Sequence, residues 1–348
     1  MKKEIRWKKW LNAAFLLFVF ALTFYLVFRG EDFGQVLEYV SQADTACVAA
    51  GIACVVAFIL GEATVIHYLL RVLGTRVRFL RCCLYSFIGF FYSCITPSAS
   101  GGQPMQVIAM RKDKIPVAVS TVVLAIVTIT YKLVLVLIGT FIVIVRPEGV
   151  MRYLKDVMPV MYIGMGLNIG CVALLILLVF DPNLIRVLAE KTVNFLRRFR
   201  LFKRLKHSSG KLEKMIDQYR GAAEFYKNNS HVMIHVLLIT FAQRVILFLV
   251  AWFTYRAFSL SGHGVALITS LQAMISVAAD MLPLPGGMGV SETLFLQIFD
   301  PIFGEELILP GMMLSRGIGY YTQLLLSAVM TLAASFIITN DKKGEAIR

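Results

Sequence analysis

Acidic residues are scarce in this sequence, paired metal ligands are missing, and no polar stretch runs longer than about fifty residues. Each absence removes a class of function. There is no glycine-rich loop ending in Gly-Lys-Ser/Thr to cradle nucleotide phosphates, so ATP-driven transport by this chain alone is excluded. No His pair combines with a Cys pair at zinc-ligand spacing, and no metal or cofactor is implied. The six cysteines, Cys47, Cys54, Cys82, Cys83, Cys94 and Cys171, lie in or beside apolar stretches, where they read as small apolar residues rather than a disulfide framework. Only 21 Asp and Glu stand against 35 Lys and Arg, a formal charge of +14. In a soluble protein that balance would suggest nucleic acid. Here the bases sit mostly in short segments beside apolar runs, as the positive-inside rule and an anionic leaflet require, and nucleic acid is not an expected partner.

What the chain has is apolar length. Hydrophobic residues make up 58% of it and its mean hydropathy is +0.74, which places it in a bilayer. Apolar runs long enough to cross roughly 30 Å of hydrocarbon as helices lie at about 11–28, 46–70, 117–145, 160–180, 232–256 and 311–339. Lys2, Lys3, Arg6, Lys8 and Lys9 precede the first run; without a small-residue cleavage site it is expected to stay as an anchor. Two further apolar regions, 82–110 and 264–303, are broken. The first contains Thr96-Pro97-Ser98-Ala99-Ser100-Gly101-Gly102-Gln103-Pro104, the second Pro283-Leu284-Pro285-Gly286-Gly287-Met288-Gly289. Proline removes backbone donors and glycine weakens helix, so neither region is expected to be one straight span.

Loop charge then sets the topology. The N-terminus, the loop with Arg71, Arg76, Arg78 and Arg81, the loop with Arg111, Lys112 and Lys114, the stretch 181–230 and the C-terminal tail are basic, and are expected in the cytoplasm. The segments with Glu31, Asp32, Glu38 and Asp44 and with Asp300, Glu305 and Glu306 are acidic and face outward; the segment 146–156, with three bases against two acids, agrees less well. The broken regions then become re-entrant hairpins entering from opposite faces. The expected fold is an all-α integral membrane protein of the cell membrane, with two inverted repeats, six spanning helices and two Pro/Gly-broken hairpins, eight membrane segments in all. It forms one polytopic domain over 1–348, with a first half at 1–150 and a second at 160–341 that includes the basic linker 181–230. That linker carries twelve bases and five acids, and its bases interleave with Leu188, Phe195, Phe199 and Phe202. A helix lying on anionic lipid fits this pattern, as does a solvated linker.

Backbone that is irregular at membrane depth must be satisfied by protein, water or ligand, so each break calls for a polar cavity. Ser98, Ser100, Gln103 and Gln106 supply hydrogen-bonding groups at the first break. The pairs Gly101-Gly102 and Gly286-Gly287 let a ligand approach the backbone. Ionisable residues inside spans are costly and become candidates for that reason. They are Glu62 and Lys132 in the first half and Arg244, Asp280, Glu292 and Arg316 in the second. Their spacing repeats: Glu62 lies 40 residues before Gly102 and Lys132 30 after it, while Arg244 lies 43 before Gly287 and Arg316 29 after it. The bases Lys132, Arg244 and Arg316 suit a phosphate, with Glu62, Asp280 and Glu292 left to contact an amine, couple a proton or form ion pairs, such as Glu62 with Lys132, and Asp280 or Glu292 with the arginines. Tyr131, Tyr320 and Tyr321 are candidates either for the cavity wall or for packing.

At these motifs the chain resembles the transmembrane domain of lysylphosphatidylglycerol synthases, the flippase region of the multiple peptide resistance factor. The likeness is carried by the run from Thr96 to Gln106, by Leu284-Pro285-Gly286-Gly287-Met288-Gly289-Val290-Ser291-Glu292, and by Arg316 with Tyr320 and Tyr321. It covers essentially the whole chain. Full-length members carry a soluble domain that moves lysine from lysyl-tRNA to phosphatidylglycerol. No such domain is expected in a sequence that stops at Arg348, so the resemblance implies translocation of a phospholipid of the phosphatidylglycerol or lysylphosphatidylglycerol type. Other relatives accompany glycosyltransferases, which makes polyprenyl-phosphate-linked sugars or glycolipids an alternative cargo. A membrane-embedded lipid-modifying transferase, and a scaffold for a separate synthase, are the readings from other classes. The partners that follow are membrane phospholipid, an anionic lipid surface at 181–230, a separately encoded lipid synthase or glycosyltransferase, and a second copy of the chain.

Overall fold

A computed structural model describes residues 38, 41–96, 99–181, 209–282 and 289–344, and every regular element among them is helical. In chain order these are α1 (Thr45–Val72), α2 (Phe79–Ile95), α3 (Gly102–Lys112), α4 (Val117–Val145), α5 (Glu148–Leu154), α6 (Met158–Phe180), α7 (Ser209–Asn228), α8 (Ser230–Ala257), α9 (Val265–Ala279), α10 (Val290–Phe303), α11 (Ile308–Arg316) and α12 (Thr322–Gly344). One π-helical segment, Gly317–Tyr321, joins α11 to α12. Five helical stretches are long and apolar enough to cross a bilayer: Thr45–Val72, Val117–Val145, Glu148–Phe180, Ser230–Ala257 and Ile308–Ala334. The chain is a multi-pass α-helical membrane protein. Those stretches fall on five of the six expected crossings; the sixth, at 11–28, lies outside the described residues.

Local chemistry accounts for the helix ends. Asp44 caps α1, its carboxylate accepting from the Ala46 amide at 2.8 Å. At the other end the Gly74 amide donates to Arg71 O and the Thr75 amide to Leu70 O, with Gly74 at φ +78°. This paired arrangement satisfies the last carbonyls and needs the left-handed residue that glycine supplies without strain. Pro116 precedes α4, whose apolar run ends at Arg146 in the left-handed region. The helices flanking the breaks are short. At 1.5 Å per residue α2 and α9 reach only about 22–26 Å, less than the roughly 30 Å of hydrocarbon.

Packing then follows from small residues placed where backbones meet. The most extensive helix contact among the described residues joins α1 to α8. There a Cβ on Gly61 would lie 2.8 Å from Gln243 Cγ, so a larger residue would push the helices apart. The Gln243 side chain uses the closeness to donate to Phe58 O at 2.8 Å. Gly164 brings α6 against α9, and Asn168 Nδ2 donates both to Gly164 O at 2.9 Å and across to Val277 O at 3.1 Å. Outward faces remain apolar: Phe141, Ile144, Ile163 and Leu177 are each more than half exposed, as suits contact with lipid.

The helix order long, short, break, short, long occurs twice, as α1, α2, α3, α4 and as α8, α9, α10, α11 with α12. At the first break α2 and α3 fold back on one another. Gly102 sits so close to α2 that a Cβ there would fall 2.1 Å from Ser93 Oγ and 2.6 Å from the Gly89 carbonyl. Apart from Asp181, the basic linker is described only from 209 onward. Its α7 packs Ala222, Ala223 and Tyr226 inward, with Tyr226 donating to Leu69 O at 2.9 Å, and leaves Glu213, Lys214, Asp217, Arg220, Glu224 and Lys227 exposed. The Leu188–Phe202 portion lies outside the described residues.

Candidate functional site

A cavity of about 420 Å³ opens where α1, α2, α3, α4, α8, α9, α10 and α11 converge, and all six intramembrane charges line it. Their arrangement is specific. Lys132 on α4 sits 2.5 Å from the Asp280 carboxylate at the end of α9, a pair only 10% and 12% exposed. Arg316 on α11 lies 2.6 Å from Glu292 Oε1 on α10 and also donates to Ser291 Oγ. Ser291 in turn donates to Glu292 Oε2 at 3.1 Å, so both carboxylate oxygens are engaged. Glu62 on α1 accepts from Gln106 Nε2 of α3 at 2.7 Å. The expected pairing of Glu62 with Lys132 does not occur; Asp280 takes the lysine instead.

Arg244 on α8 differs from the other two bases. Its guanidinium lies 3.5 Å from the centre of the Tyr131 ring and 4.8 Å from that of Phe58, a cation held between aromatic faces. Among the described residues no carboxylate lies within ion-pair distance of it, and its Nε is buried without a hydrogen-bond partner. Three bases and three acids cancel formally, yet the cancellation is uneven in space. Two bases are matched by contact, and the third faces the cavity with only the field of Glu62 to offset it.

The family model for the lysylphosphatidylglycerol synthase TM region matches residues 11–327. The chain belongs to that family. No curated protein matches it. In this lysylphosphatidylglycerol synthase TM region the two motifs meet the cavity unequally. Gln103 and Gln106 line it, Gln103 donating to Thr128 Oγ1 of α4, and so do Ser291, Glu292, Arg316 and Tyr320. Ser100 is exposed outside it, while Gly101 and Gly102 serve the turn. Gly101 N donates to Thr96 Oγ1 at 2.9 Å, and Gly102 permits the α2–α3 contact. Ser98, Gly286 and Gly287 lie outside the described residues. Tyr320 also donates to Cys94 O at 2.8 Å, tying the π-helical segment to the last turn of α2. Tyr321 is not part of the wall.

Several polar lining residues were not singled out from the sequence, although helical spacing marks them. Gln272 and Ser276 precede Asp280 by eight and four residues, and Thr128 precedes Lys132 by four; such spacings fall on one helix face. Thr240 precedes Arg244 by four residues in the same way, whereas Gln243, its immediate neighbour, lines the cavity without that spacing. Among the described residues no group of three or more His, Cys, Asp or Glu is placed to hold a metal ion. What the site offers is a cation held between aromatic rings, two ion pairs and the neutral amides of Gln103, Gln106, Gln243 and Gln272.

Proposed function

We propose that this chain moves a phosphate-bearing phospholipid, of the phosphatidylglycerol or lysylphosphatidylglycerol type, between leaflets. The observation that carries the proposal is Arg244, a cavity cation without an acid partner. Lipid phosphate would supply the missing charge, and guanidinium geometry suits it because two parallel N–H donors match two phosphate oxygens. The headgroup would travel through the cavity while acyl chains stay in the bilayer. An amine on the headgroup would compete with Lys132 for Asp280, or with Arg316 for Glu292. Either exchange preserves charge neutrality, which keeps its cost low in a medium of low dielectric.

In the same proposal the breaks between α2 and α3 and between α9 and α10 are the tips of two re-entrant hairpins. They enter from opposite faces in two inverted halves, both termini being cytoplasmic. Support comes from the recurring helix order, from flanking helices too short to span, and from the basic loops.

The test is reconstitution of the purified chain into liposomes containing fluorescent phosphatidylglycerol or lysylphosphatidylglycerol, read by dithionite quenching. Translocation is expected to exceed that of protein-free vesicles for at least one lipid and to return to the protein-free rate in Arg244→Gln. Losing one charge-assisted contact of roughly 1.5–3 kcal/mol corresponds to about a 10- to 100-fold slower rate. Failure of the wild type to accelerate either lipid would overturn the proposal.

A further inference from the structure

The turn between α1 and α2 holds a second concentration of positive charge that the central cavity does not use. A pocket of about 630 Å³ is lined there by His67, Arg71, Gly74, Arg76, Val77 and Arg78, with no acid among them. Nothing in this pocket borders the central cavity. Among the described residues none of the three arginines has a carboxylate within ion-pair distance, whereas the next base, Arg81, lies 3.7 Å from Asp113. The positive-inside rule explains why arginines occur in such a loop. It does not explain why three of them surround one concavity.

The backbone explains how they are held. The Gly74 turn fixes the exit from α1 by two hydrogen bonds, 3.0 Å to Arg71 O and 2.9 Å to Leu70 O, so the arginines project from a defined turn. Arg78 is also the N-cap residue of α2 and provides no side-chain cap. The positive end of a 17-residue helix therefore adds its partial charge to the same place. Directly beside it, Phe79 and Leu80 are 41% and 75% exposed, so charge and uncovered apolar surface adjoin at the end of a membrane helix. That combination matches an amphiphile at the bilayer interface.

We infer that this pocket is a second phosphate site, occupied by the headgroup of an anionic phospholipid whose acyl chains lie along Phe79 and Leu80. The arginines contact phosphate oxygens, and the first turn of α2 supplies amide donors. The site is separate from the translocation proposal and stands or falls without it.

The experiment is hydrogen–deuterium exchange on the purified full chain in nanodiscs, with residues 74–82 compared between pure phosphatidylcholine and phosphatidylcholine containing phosphatidylglycerol. Exchange there is expected to slow several-fold with phosphatidylglycerol, while the basic loop at Arg111, Lys112 and Lys114 changes little. In Arg71→Gln/Arg76→Gln/Arg78→Gln the phosphatidylglycerol effect is expected to vanish. No slowing in the wild type overturns the site, and that comparison does not depend on whether the triple variant folds. Equal slowing at 111–114 overturns it too, since surface potential alone would then account for the effect. Inorganic phosphate giving the same protection in phosphatidylcholine discs overturns the lipid assignment.

Discussion

Lys132 and Arg316 hold corresponding places in the recurring helix order, yet they find their acids in different directions. Lys132 reaches from α4 to Asp280 at the end of α9, whereas Arg316 on α11 turns to Glu292 and Ser291 on the neighbouring α10. One pair ties α4 to α9, 148 residues apart in the chain. The other braces the approach to the second break, immediately before the π-helical segment. The helices also differ in what they oppose: α1 presents Glu62 where α8 presents Arg244, so the site is asymmetric in charge although the helix order recurs. An asymmetric site can distinguish the two ends of a zwitterionic headgroup, which a symmetric one cannot.

The sharpest way to break this comparison is a double-mutant cycle on the pair joining α4 to α9. Lys132→Met alone, or Asp280→Asn alone, leaves a partner with its charge or hydrogen bonds uncompensated in the protein interior, at a cost of about 3–5 kcal/mol for an unmatched buried charge. The double variant should recover a substantial part of the loss, read as thermal unfolding in detergent. Strict additivity would mean that the pair does not couple α4 to α9. Next in size is Gly102→Ala, whose added methyl meets the Gly89 carbonyl at 2.6 Å and should cost about 1–3 kcal/mol by overpacking. The same change at Gly170, where nothing lies within 4 Å of an added Cβ, should leave the melting temperature nearly unaltered. Equal effects at the two glycines would remove the argument that the first break is a close-packed turn. The smallest expected effect belongs to Tyr320→Phe, which deletes one hydrogen bond to Cys94 O, worth about 0.5–1.5 kcal/mol. A measurable drop in melting temperature with the protein still folded would confirm that the π-helical segment is fastened to α2.

Much of the framework was legible beforehand because a bilayer imposes length and apolarity together. The run 117–145 becomes α4 over those same residues, bounded by Pro116 and by Arg146 in the left-handed region. The breaks were legible too, since proline and glycine interrupt both regions. The site was legible only as a list. Gln106 was read as a backbone-satisfying group at the break, and it holds Glu62; Gly101 and Gly102 were read as ligand approaches, and they shape the turn. Gln243, Thr128 and Gln272 went unnoticed because a neutral polar residue in an apolar helix is a weaker signal than a charge, being cheaper to bury once hydrogen-bonded.

The sequence by itself determined that this is a helical membrane protein and that six ionisable residues must share a polar interior, because hydrocarbon tolerates neither open backbone nor isolated charge. It did not determine the partners. Lys132 and Asp280 are 148 residues apart, and both Glu62 and Asp280 were available to the lysine on charge alone. The choice rests on how α1, α4, α8 and α9 are rotated against one another, and that rotation is set by close contacts such as Gly61 on Gln243 and Gly164 on α9. Only the tertiary structure therefore decided that two bases are matched by contact while Arg244 stands between Tyr131 and Phe58.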